Sequence, residues 1–97
     1  MIGLDENKEE GIDGKGKMSM NILVCDDDKE IVDAIAIYLE NEGYRIFKAY
    51  NGLEAIDMVR EQEIHLILMD IMMPKMDGIK ATMKIREDRN IPLIMLS

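Results

Sequence analysis

The chain has 97 residues, 47% of them hydrophobic and 33% charged, which fits one small globular domain at most. A formal net charge of −8 argues against direct binding to nucleic acid, whose phosphates attract basic surfaces. No apolar run approaches the roughly 18–20 residues that span a bilayer, and the acidic N-terminus has no secretory h-region, so a cytoplasmic location is expected.

Residues 1–20 hold five acids, three lysines and four glycines without sustained periodicity, and read as a disordered acidic leader before a domain over 21–97. Two near-motifs fall in it. Gly11 to Lys17 has phosphate-loop spacing, but Met18 replaces the Ser or Thr that would hold magnesium, and a strand follows instead of a helix. Asp5, Asn7, Glu9 and Asp13 fall at calcium-loop spacing, yet Glu10 stands in place of the turn glycine and Gly16 in place of the closing glutamate. Both are set aside in favour of a solvated tail.

Ile22-Leu23-Val24-Cys25 is an apolar run ending in Asp26-Asp27-Asp28, as suits a strand buried on both faces. Cys25 alone forms no internal disulfide and reads as a small core residue. Asp28 caps a predicted helix whose stripe holds Ile31, Val32, Ile35, Ala36, Tyr38 and Leu39, with Tyr38 expected in the core, and Gly43 ends it. Tyr44 to Ala49 reads as a second strand, nearer a sheet edge. Asn51 with Glu54 forms a variant capping box and opens a helix with Leu53, Ile56 and Val59 on one face.

Ile64 to Met69 is the third strand, ending on Asp70, with His65 at its far end as a surface or half-buried residue. A loop from Ile71 to Asp77 is broken by Pro74, and Gly78 begins a helix to about Arg86 carrying Ile79, Met83 and Ile85. Ile91 to Leu96 is a fourth strand, with Pro92 near its start and Ser97 after it.

Strand and helix alternate throughout, which predicts an α/β fold with a doubly wound parallel sheet. In such sheets the ligand crevice lies at the carboxyl ends of the strands. That rule brings Asp26, Asp27, Asp70 and Ser97 to one rim. Alone, the Asp26–Asp28 run reads as a helix-capping loop and Asp70 as a strand-end turn. Together they make a cluster of carboxylates that repel one another, which a hard divalent cation with oxygen ligands would neutralise. A carboxylate is also a competent nucleophile in aspartyl-phosphate chemistry.

The stretches I-L-V-C-D-D-D-K-E-I, L-I-L-M-D-I-M-M-P-K-M-D-G and I-P-L-I-M-L-S together resemble response-regulator receiver domains, continuously over residues 21–97. Within that family the chain is most similar to winged-helix transcriptional regulators of the vancomycin-resistance type. The resemblance implies a flavodoxin-like sheet in the order 2-1-3-4, phosphorylation of Asp70 by a sensor histidine kinase, and Mg²⁺ (or Mn²⁺) beside it. Asp27 and Asp70 would ligate the metal directly, Asp26 mainly through a bound water, and Met72 through its backbone carbonyl. Ser97 would contact the phosphoryl group through its hydroxyl. Pro74 and Gly78 would shape the loop and the helix start, and Asp77 would be a cap.

On this reading the chain is no enzyme: it catalyses only transfer to itself and its own dephosphorylation, and controls transcription within an intact parent. The family continues through a fourth helix, a fifth strand bearing a lysine that pairs with the phosphoryl group, and a fifth helix; no position here corresponds to them. The expectation is then a truncated receiver whose fourth strand is an exposed edge prone to self-association. The alternative function is a non-signalling fragment that binds metal or dimerises. A phosphatase with an aspartyl-phosphate intermediate would want a second acid two residues after Asp70, where Met72 stands. Met72 also borders the route of attacking water, and Lys75 and Lys80 read as solvated surface beside the site loop.

Overall fold

Alternation within β1 (Asn21–Cys25) organises the molecule: Ile22 and Val24 point to one side of the sheet, Leu23 and Cys25 to the other, and all four are buried. The structure is a computed structural model describing residues 19–73 and 77–96, so residues 1–18 with both near-motifs, together with Pro74, Lys75, Met76 and Ser97, lie outside the described residues. After β1 come α1 (Lys29–Asn41), β2 (Arg45–Ala49), α2 (Gly52–Glu61), β3 (Leu66–Asp70), α3 (Gly78–Asp88) and β4 (Leu93–Leu96). The strands form one parallel sheet, as the alternation of strand and helix predicts, in the order β2-β1-β3-β4 that the resemblance implies.

Helices cover both faces, unequally. Leu23, Cys25, Ile67 and Met69 pack with Ala55, Ile56 and Val59 of α2 and Ala81 and Ile85 of α3. On the other face Ile22 and Val24 meet Val32 of α1, with Ile35, Leu39, Leu66 and Leu68 only partly buried around them. Two helices therefore seal one side of β3, while α1 alone serves the other.

Local chemistry sets the helix ends. Asp28 accepts from the N–H groups of Glu30 and Ile31, occupying orphan donors of the first turn of α1. At the far end Gly43 adopts a left-handed φ of 101°, its N–H donating to Glu40 and that of Tyr44 to Leu39, a Schellman closure. Asn51 accepts from the Glu54 N–H, and the Glu54 carboxylate accepts from the N–H of Tyr50, one residue earlier than in a standard capping box.

Several boundaries differ from the sequence reading. β2 begins at Arg45. β3 begins at Leu66 and includes Asp70, which pairs with Leu96; before it, the His65 N–H donates to the Asn21 carbonyl at 2.8 Å while the His65 ring, not a carbonyl, accepts from the Asn21 N–H at 2.9 Å. β4 begins at Leu93, after Pro92, whose carbonyl still accepts from the Ile67 N–H. α3 runs on to Asp88.

The helix faces need correction too. Tyr38 is 66% exposed, outside the expected core, and Ile31, Leu53, Ile79 and Met83 are exposed as well. One geometry accounts for all five, since successive residues turn by about 100°. The buried lines run through Val32 and Ala36, through Ala55, Ile56 and Val59, and through Gly78, Ala81 and Ile85. Each of the five residues sits well to the side of its line.

The unequal covering of β3 makes a direct prediction. Ile67→Ala should destabilise the chain by about 3–4 kcal/mol, within the range for a sealed core site. Leu68→Ala, on the half-covered face, should cost roughly half as much. Urea unfolding of the two variants beside wild type measures the difference.

Candidate metal centre

Register places the acids. Cys25 pairs with Met69 across β1 and β3, so the next residues, Asp26 and Asp70, stand side by side at the carboxyl rim. Both strand ends are tied one step further into their neighbours: the Asp26 N–H donates to Ala49 at 3.2 Å and the Ile71 N–H to Leu96 at 3.3 Å. Asp27 follows directly, and one carboxylate oxygen from each of Asp26, Asp27 and Asp70 lies within 4.8 Å of the others.

The three are graded in depth. Asp26 is buried, at 7% exposure, Asp70 is half-buried and Asp27 is exposed. Asp26 Oδ1 accepts from the Asp28 N–H at 2.9 Å, and Asp70 Oδ1 accepts from the Met72 N–H at 3.2 Å. These short turns fix how each carboxylate faces the cluster. Burial holds the Asp26 carboxyl above its ordinary range, and the charges of Asp70 and Asp27 push the same way, against the Asp28 N–H, which favours the anion.

Directly beneath, the Cys25 thiol is pushed up to about 12, first by burial and then by the surrounding carboxylates Asp26, Glu54, Asp70 and Asp27. It stays protonated at neutral pH, donating to the Asn51 carbonyl and touching Met73 Sδ. The core reading of this residue holds.

Other acids near the rim are accounted for differently. Asp28 caps α1, and Asp77 caps α3 by accepting from the Lys80 N–H at 2.9 Å, so both are structural. Met72 sits beside Asp70 with its side chain 75% exposed, and Lys80 is exposed. His65 lies at the opposite end of β3, engaged with Asn21. Ser97 and Lys75 are outside the described residues. The sequence reading missed one rim contact, Lys29 Nζ over the Tyr50 ring at 5.3 Å from its centroid. Its signal was present: Tyr50 follows β2, and Lys29 opens α1, at the same end of the sheet.

Three oxygen donors of like charge, one of them buried, form a donor set suited to a hard divalent cation of the Mg²⁺ kind. Among the described residues no helix is long and apolar enough to cross a membrane.

Comparisons with known proteins agree with this arrangement. The family model for the response regulator receiver domain matches residues 22–97. The regulatory protein VanR of Enterococcus faecium is 42% identical over 80 residues, covering 82% of this chain and 35% of that protein. The chain spans about a third of the length of the curated relatives it matches. Among solved structures, the receiver domain of the Francisella response regulator 1452 superposes with a TM-score of 0.78 at 35% identity, covering 81% of this chain and 66% of that one. The response regulator TrrA of Thermotoga maritima, in complex with Mg²⁺ and BeF, gives 0.72 at 33% identity, covering 78% and 69%.

The buried acid generates a prediction. A folded-state pKa raised above the unfolded value means the folded chain binds more protons, so this group's contribution to stability falls as pH rises from the ordinary aspartate range. Asp26→Asn removes that penalty yet keeps an oxygen to accept from the Asp28 N–H. Without divalent cations at neutral pH, the variant should be the more stable of the two. Thermal unfolding across pH 4–8, with wild type as reference, checks both the gain and its loss at acid pH.

Proposed function

This chain belongs to the response-regulator receiver family, and from that premise we propose that it is the phosphoacceptor domain of a two-component regulator, phosphorylated on Asp70. The observation that carries the proposal is the convergence of Asp26, Asp27 and Asp70 within 4.8 Å at the ends of two adjacent strands. The donor set fits Mg²⁺ (or Mn²⁺): Asp27, exposed at the rim, and Asp70 would hold the ion directly, the deeper Asp26 would act through a bound water, and the Met72 carbonyl would add a further oxygen. When bound, the ion neutralises the acidic cluster and the charge of the transferring group.

Asp70 is the nucleophile of this reading. Its free carboxylate oxygen forms a bond to phosphorus as the bond from phosphorus to the donor breaks, and the leaving group, an imidazole nitrogen of a sensor histidine kinase, takes up a proton. The Met72 N–H on Asp70 Oδ1 holds the carboxylate still for that attack. In the return step a water oxygen attacks phosphorus, the bond to Asp70 breaks, and phosphate carries off the hydrogens of the water. Both steps act on the chain itself, so it is not an enzyme with a separate substrate.

The role of Ser97, a hydroxyl contact to the phosphoryl group, rests on the resemblance. Transcriptional control and a cytoplasmic location belong to this proposal for a whole protein of the length of the chain's relatives, which are more than twice as long as the chain. The exposed Ile94 and Met95 on β4, which pairs only with β3 among the described residues, support self-association along that edge.

Intact mass after incubation with Mg²⁺ and acetyl phosphate tests the central claim. Wild type should gain one phosphoryl group and Asp70→Asn none. An adduct that persists in Asp70→Asn, or none in wild type under conditions that label another receiver, would overturn the assignment.

A further inference from the structure

The first turn of α3 lies unusually close to the main chain that carries Asp70. Gly78 is buried, and its N–H donates to the Ile71 carbonyl at 3.0 Å. A Cβ at this position would overlap the Asp70 carbonyl oxygen, and would lie 2.6 Å from Ile71 Cα and 2.8 Å from the Asp70 carbonyl carbon. All three are backbone atoms, so no side-chain rotation relieves the overlap; either the helix or the strand end must move. The helix is pinned. Ala81 and Ile85, packed into the core one and two turns on, hold α3 against the sheet, while the Asp77 cap on the Lys80 N–H and the Thr82 hydroxyl on the Gly78 carbonyl keep its first turn regular.

The strand end is therefore the side that yields, and Asp70 is its last residue. We propose that Gly78 is a positioning residue for the acidic centre: its missing side chain lets α3 hold the Asp70 backbone at the height where its carboxylate meets those of Asp26 and Asp27. This inference rests on the function proposed above and adds a determinant of cation affinity that touches neither the cation nor the phosphoryl group. A shift of about 1 Å in a reacting group is enough to cost on the order of 100-fold. Its mark is a loss of affinity out of proportion to any loss of stability.

Two readouts on the 97-residue chain test it: Mg²⁺ affinity by calorimetry, and the Mg²⁺ concentration giving half-maximal labelling by acetyl phosphate. Gly78→Ala should retain its far-UV circular dichroism while both Mg²⁺ constants weaken tenfold or more, and excess Mg²⁺ should recover part of the labelling. Val59→Ala, a core variant distant from the rim, should lose stability but keep wild-type Mg²⁺ constants. Should Gly78→Ala not fold, Ala81→Gly loosens the packing that seats α3 and adds nothing near Asp70, and severalfold weaker Mg²⁺ binding is expected. Wild-type Mg²⁺ constants in a folded Gly78→Ala, or in Ala81→Gly if that variant alone folds, overturn the inference and leave the proposed function standing. Absence of Mg²⁺ binding by wild type overturns both.

Discussion

The parallel pairing of β1 with β3 is the constraint on which the rest of the molecule depends. It sets Cys25 against Met69, and the chain continues from both into aspartate at the same level. A one-residue slip would turn Leu23 and Cys25 toward α1 and break the alternation that seals both faces. The same slip would separate Asp26 from Asp70. Core packing and the acidic centre are thus specified by a single register, and the apolar residues that secure the fold also fix where the charges meet.

That coupling has an electrostatic cost. Asp26 is buried among like charges with one backbone N–H in support, and its carboxyl is held toward the protonated form. A cation removes the penalty, and so does loss of the charge. The site is accordingly a place where the fold carries a cost in stability that a bound cation would offset, a familiar trade at functional centres. The surrounding frame is stiff enough to sustain it: β1 and β3 continue their hydrogen bonds one residue past their ends, into β2 and β4.

Much of this was legible in the amino-acid order. Short apolar runs that stop abruptly on acids identify both strands and the rim they share, and the caps at Asp28, Asn51 and Asp77 are local chemistry that needs no tertiary context. The helix faces were harder to read. Ile31, Tyr38, Leu53, Ile79 and Met83 are apolar and adjacent to a buried line, so periodicity alone widens the stripe to include them. What decides their burial is which line of each helix is turned to the sheet, a property of the assembled layers. Gly78 was legible as a helix start, but its approach to Asp70 depends on how deeply α3 seats, which no local pattern encodes.

Cys25 is the only cysteine, fully buried under the carboxylates with a thiol that stays protonated. An alkylating reagent cannot reach it in the closed molecule, and even in contact would meet a poor nucleophile. Modification then requires that the floor of the centre part from α2 and the loop around Met73, and with so slow a reaction its rate reads the population of that open form. The chain carries its own reporter of opening at the base of its charged centre, one whose modification a cation drawing the rim together would slow.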